Sequence, residues 1–294
     1  MGWPGDAPLP RRDQDRSLGP DRTAARHRHS HRRVEGQHVG RRGARLRRQV
    51  SCCFDDRGDR LAVAAFALDG EAGAGPRRPH RRAGGQLKLE VEATADARFG
   101  TNSYLVEDTD THDAVVIDAN LEPEQMIDLV RRRGAHVKAI LLTHTDVDHL
   151  GGLEKLLKAF GAVPVAVHPA EREMVAEGKP LRRSLPFELP LVVEPELLEE
   201  GRPYQAGSLE FEVLHTPGHS PGGVTLKIGK LLFTGDALFA GSVGRTDFPN
   251  SDTQALMEAV KGKLLVLDDD YVVLSGHGPA STIGREKRTN PFLV

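Results

Sequence analysis

Val137-Lys138-Ala139-Ile140-Leu141-Leu142-Thr143-His144-Thr145-Asp146-Val147-Asp148-His149 is the stretch on which the reading of this chain turns. Val137–Leu142 is an apolar run broken only by Lys138, which suits a strand buried on both faces. The six residues from His144 to His149 then include four potential metal ligands. Polar residues placed at strand ends collect along one edge of a sheet, where open α/β folds bind their ligands. Imidazole and carboxylate together suit zinc and neighbouring first-row metals.

Outward from this stretch, strands and helices interleave. Ser103–Val106 and Ala114–Ile117 read as strands joined by the polar turn Asp108–Asp113. Pro123–Arg133 has helical spacing and stops at Gly134. Leu150–Phe160 reads as a helix and Val163–Val167 as a strand. Further strands are expected at Leu209–Leu214, Val224–Ile228, Leu231–Phe233 and Tyr271–Leu274, with a helix over Ser251–Val260. This order predicts an α/β protein whose sheets are covered by helices. Three more motifs follow strands in the same way: His215-Thr216-Pro217-Gly218-His219, Thr234-Gly235-Asp236 and Ser275-Gly276-His277-Gly278-Pro279. Any one of the three is compatible with an ordinary turn. All of them at strand ends, in this order, point to a metal centre.

The His-x-[His/Asp]-x-Asp-His string, with a later His, a Gly-Asp and a Gly-His, resembles the metallo-β-lactamase superfamily over residues 87 to 294. The resemblance implies an αββα sandwich with two divalent metal ions at one edge of its sheets. Zinc is the first expectation, with iron or manganese as alternatives. By that resemblance His144, the residue at 146 and His215 form one site. Asp148, His149 and His277 form the second, and Asp236 bridges them. His219 is expected to support the ligands from behind. The family's common pattern has histidine where this chain has Asp146. Two readings follow: Asp146 ligates and makes the site harder and more anionic, or it points away.

Phe239-Ala240-Gly241-Ser242-Val243-Gly244-Arg245-Thr246-Asp247-Phe248 and Gly284–Phe292 narrow the resemblance to short bacterial hydroxyacylglutathione hydrolases, the glyoxalase II-like group. This implies a thioesterase acting on S-acylglutathione-like substrates, with Asp148 orienting a metal-activated hydroxide. Arg245 is read either as a fork for a substrate carboxylate or as the ion-pair partner of Asp247. His168 could line the pocket or serve structurally. The alternatives are a mononuclear iron persulfide dioxygenase on the same scaffold, a lactonase or other ester hydrolase, and a binding module that reused the fold.

Charge separates the chain into two parts. Residues 1–85 hold nineteen arginines, no lysine and ten acidic residues, a formal +9, against −11 for residues 86–294. The first part is too poor in apolar residues to offset the entropy of ordering and is expected to be disordered. Arg41–Arg48 could form a nucleic-acid arm, but no aromatic residues interleave with it. Arginine without lysine also fits a misassigned start, with translation beginning near residue 86. The hydrolase domain is expected over 86–294, and its charge argues against nucleic acid as a partner. Cys52 and Cys53 are the only cysteines, so no disulfide framework exists and a reducing cytoplasm fits. The longest apolar run, Leu61–Leu68, is too short to span a bilayer.

Overall fold

Residues Lys88–Ala95 alternate along their length, with Leu89, Val91 and Ala93 turned inward, the period of a strand with one covered face. The computed structural model describes residues 66–67, 88–178, 181–182, 191–192 and 194–294. The expectations of a disordered first segment, an arginine-rich arm and a start near residue 86 fall outside the described residues. One exception is a two-residue strand, β1 (Phe66–Ala67), which pairs antiparallel with Lys88–Leu89.

The first sheet continues with β2 (Lys88–Ala95), β3 (Asn102–Asp108) and β4 (Asp113–Ile117), all antiparallel. Helix α1 (Glu124–Arg133) crosses over to a parallel β5 (His136–Leu141). Short helices α2 (Val147–Leu150) and α3 (Leu153–Phe160) lead to β6 (Val165–Val167). After α4 (Arg172–Ala176) the sheet ends at β7 (Glu196–Leu197). The second sheet is built from β8 (Tyr204–Ala206), β9 (Leu209–His215), β10 (Val224–Ile228) and β11 (Leu231–Gly235). Next come the hairpin β12 (Leu238–Phe239) and β13 (Ser242–Val243), then α5 (Thr253–Ala259). Strands β14 (Val272–Ser275) and β15 (Ser281–Thr282) complete the sheet, and α6 (Ile283–Thr289) follows.

Side chains sort into three apolar layers, because each strand sends alternate residues to opposite faces. Val106, Val115, Ile117 and Leu141 of the first sheet meet Phe211, Val213, Leu226 and Phe233 of the second. Leu105, Val116 and Ile140, on the outer face of the first sheet, pack on Met126, Leu129 and Leu156 of α1 and α3. Leu232 and Val273 pack outward on Leu256, Val260 and Ile283. The order is helix, sheet, sheet, helix, the expected αββα sandwich. Among the described residues no helix is long and apolar enough to cross a membrane.

Short elements such as β8, the β12–β13 hairpin and α6 were not expected from the sequence. Strand β2 escapes the pattern because its outward residues Glu90, Glu92 and Thr94 dilute the apolar alternation. The helix expected over Leu150–Phe160 is two helices broken at Gly151-Gly152. There the chain presses against the turn after β4: a Cβ on Gly152 would lie 2.1 Å from the Asn120 carbonyl oxygen. Phe211 is fully buried between the sheets, so Phe211→Ala should destabilise the fold by about 3–5 kcal/mol, read from chemical denaturation.

Candidate metal centre

The centre is organised by a residue outside all four motifs. Asp118, directly after β4, is buried and holds a left-handed φ of 60°, rare for a residue with a side chain. Its carboxylate accepts hydrogen bonds from Thr143 N (2.8 Å), Thr143 Oγ1 (2.8 Å) and His149 Nδ1 (2.8 Å). Since Thr143 Oγ1 donates to Asp118, it accepts from His144 Nδ1 at 3.1 Å. One carboxylate therefore sets two rings, directly and through a hydroxyl.

The other two rings are held in the same way by backbone carbonyls. His219 Nδ1 lies 2.7 Å from the Arg245 oxygen, and His277 Nδ1 lies 3.1 Å from the Phe99 oxygen. In all four histidines the outer nitrogen is thus the donor, and Nε2 turns inward. Partners of this kind fix ring orientation and basicity in metal sites. His149 Nε2 is 3.3 Å from Asp236 Oδ1, and His277 Nε2 is 3.3 Å from Asp148 Oδ2 and 3.5 Å from Asp236 Oδ2. His219 Nε2 is 3.1 Å from Asp146 Oδ2 and 3.6 Å from Asp236 Oδ2. Asp148 Oδ2 also accepts from Thr101 Oγ1 at 2.7 Å.

Three overlapping groups of ligand atoms result: His144, Asp146 and His219; His144, His149 and Asp236; Asp148, His149 and His277. His144 Nε2, His149 Nε2, Asp146 Oδ1 and Asp236 Oδ1 are buried without a hydrogen-bond partner. Buried polar atoms are normally satisfied, and a divalent ion would satisfy these. The donor set fits a metal centre.

Electrostatics keep the carboxylates ionised. Burial raises Asp146, but His144, His219 and Arg182 hold it far below the usual carboxylate range. Burial likewise opposes ionisation of Asp236 and Asp148, and the neighbouring histidines overcome it. Burial lowers His277, yet Asp148 and Asp236 push it up to about 10.

The two sheets are stitched together beside the cluster. Thr101 forms an isolated bridge with His277, and Asn102 N donates to the Gly276 oxygen at 2.7 Å. A Cβ on Gly276 would stand 2.3 Å from Asp236 Oδ1 and 2.6 Å from His149 Cε1, so only glycine lets the chain after β14 pass so close.

The expectation for His215 needs correction on geometry. His215 still lies in the β9 ladder, paired with Val224, and its ring stacks on His168 at 4.0 Å and 9°. Its Nε2 is 3.0 Å from the Pro221 oxygen. Only after the chain leaves the strand through Pro217-Gly218 can a side chain turn back to the cluster, and that residue is His219. His219 therefore stands among the ligand atoms instead of behind them. Asp146 does not point away; it groups with His144 and His219. Arg245 makes the two-point ion pair with Asp247 (2.9 and 2.8 Å) and lies largely exposed. Arg182 was not singled out at all, yet its NH1 reaches Asp146 Oδ2 at 2.6 Å. Nothing in the surrounding sequence pattern marks it.

Residues 96–277 match the sequence pattern of the metallo-beta-lactamase superfamily. The chain belongs to that superfamily. It is 36% identical over 211 residues to the hydroxyacylglutathione hydrolase GloC of Haemophilus influenzae, covering 70% of this chain and 98% of that protein. Among solved structures, BLEG-1 B3 metallo-beta-lactamase superposes with a TM-score of 0.63 at 34% identity, covering 69% of this chain and 99% of that one. TTHA1623 in a di-iron-bound form gives 0.58 at 39% identity, over 68% and 99%. The chain is a metallo-hydrolase of this superfamily.

Replacing His219 with Ala should remove bound metal, counted by elemental analysis, whereas His215→Ala should retain it. Equal loss in both variants would contradict the geometric assignment. Because bound metal must displace a proton from His277, apparent affinity should climb with pH towards about 10. Chelator competition across a pH series checks the sign; affinity independent of pH would refute it.

Proposed function

We propose that this metallo-hydrolase is a thioesterase acting on S-acylglutathione-like substrates. The observation that carries the reading is the inward convergence of four Nε2 atoms on Asp146, Asp148 and Asp236. It occurs in a chain that aligns with nearly the whole of a hydroxyacylglutathione hydrolase. His144, Asp146 and His219 would hold one ion and Asp148, His149 and His277 a second, with Asp236 between them. Zinc suits this mixed set of imidazole and carboxylate, and iron is the alternative that the di-iron relative supports. When bound, divalent ions lower the pKa of a coordinated water and polarise a substrate carbonyl.

The remaining work falls to the chain itself. Asp148, anchored through Oδ2 by Thr101 and His277, would accept a hydrogen bond from the attacking water and aim it at the thioester carbon. A thiolate leaves readily, so no strong general acid is needed. Arg245 would contact a substrate carboxylate by exchanging its partner Asp247, an exposed pair of small worth on its own. A small-molecule substrate and a cytoplasmic setting go with this reading.

A second reading is favoured by Asp146, since a carboxylate in this position suits iron more than an all-imidazole set does. It is oxygen-dependent oxidation of a glutathione persulfide at a single iron.

One experiment separates them. The purified full chain should contain about two metals, as expected for a dinuclear hydrolase, and release thiol from S-lactoylglutathione. Chelation should abolish that release, and added zinc should restore it. One iron per chain, oxygen uptake with glutathione persulfide and no thiol release would overturn the thioesterase reading.

A further inference from the structure

Asp146 meets the partly buried Asp148 and Asp236 in one cluster, with the buried Asp118 directly behind them. Crowding carboxylates out of water is costly unless cations or hydrogen bonds accompany them. Among the described residues, Arg182 is the cation that reaches this cluster. Its side chain is only 10% exposed.

Arg182 is held by groups that have no part in the cluster's charge. Its NH2 donates to the His219 carbonyl oxygen and to Ser251 Oγ at 3.3 Å, while Ser251 Oγ itself donates to the His219 oxygen at 2.7 Å. The guanidinium lies 4.4 Å from the centre of the Phe248 ring, a favourable cation–aromatic distance. Fixed in this way, NH1 meets Asp146 Oδ2 at 2.6 Å, with a longer approach of 3.3 Å to His219 Nε2. Asp146 Oδ1 remains buried and without a partner. The oxygen that Arg182 holds is also the one facing the ligand nitrogens, 3.1 Å from His219 Nε2 and 3.7 Å from His144 Nε2.

We propose that Arg182 is a positioning residue for metal binding: through its bond to Oδ2 it fixes the Asp146 carboxylate against His144 and His219 and offsets that carboxylate's charge. Asp146 and Arg182 together then present the metal with no net charge, as a neutral imidazole does. The inference rests on the metallo-hydrolase reading, and it makes residues 146 and 182 a matched pair.

Zinc affinity of the full-length chain, measured by competition with a chromophoric chelator, tests the pairing without reference to activity. Arg182→Met should weaken zinc binding about 10–100-fold, the range for losing a group that orients a ligand. Arg182→Lys should lose less. Asp146→His with Arg182 retained should also weaken binding, because an unpaired guanidinium then faces the ions. Adding Arg182→Met to Asp146→His should recover at least about tenfold of that loss. The double variant separates pairing from simple anchoring of the chain near 182, for which the two losses would add. A double variant no tighter than Asp146→His overturns the proposal. So does Arg182→Met that binds zinc as well as the parent or tighter, the latter meaning that Arg182 competes with metal. A parent that binds no zinc would overturn the proposal, and one that binds neither zinc nor iron would overturn the metal-centre assignment beneath it.

Discussion

The buried carboxylate of Asp118 is the constraint on which the centre depends. It binds the loop after β5 to the end of β4, through Thr143 and His149. Its left-handed backbone is unfavourable for a residue with a side chain. Three hydrogen bonds to a buried anion offset that cost, since charge-assisted bonds are the stronger kind. Without this carboxylate, neither His144 nor His149 has a reason to turn Nε2 inward.

The same arrangement recurs at the other two rings, with carbonyl oxygens of Arg245 and Phe99 in the role of the anion. All four imidazoles are thus held from outside by the scaffold. The αββα layering supplies the rigidity for this. Tyr104 of the first sheet packs edge-on against Phe233 of the second at 5.2 Å, and its hydroxyl donates to the Ser275 oxygen at 2.7 Å. The cluster sits where two well-packed sheets meet, so its geometry is inherited from the core.

Much of the fold was legible because apolar runs and turns alternate clearly from β3 onward. The strand over Val224–Ile228 matches its expected bounds, and α1 ends at Gly134 as read. What was hidden depends on tertiary placement. Two histidines four apart, 215 and 219, look equivalent as letters. Which of them reaches the cluster is decided by where β9 stops pairing and the Pro217-Gly218 turn begins. Asp118 carries no signal of its own at a strand end, because its value lies in contacts to residues twenty-five and thirty-one positions away. Arg182 carries no local signal, as its partners, Asp146, His219 and the stretch from Phe248 to Ser251, come from three separate parts of the chain.

Gly276 has a consequence for how this protein changes over generations. A methyl group there would collide with Asp236 and His149, yet the residue contributes no side chain to any of the three apolar layers. Most damaging changes in a domain act by weakening its packing and so reduce the amount of protein. A change at this codon would act first on the ligands, because the atoms nearest the added carbon are Asp236 Oδ1 and His149 Cε1. The position thus ties the chemistry to the main chain itself: here the backbone, and not a side chain, sets how closely two ligands can be approached.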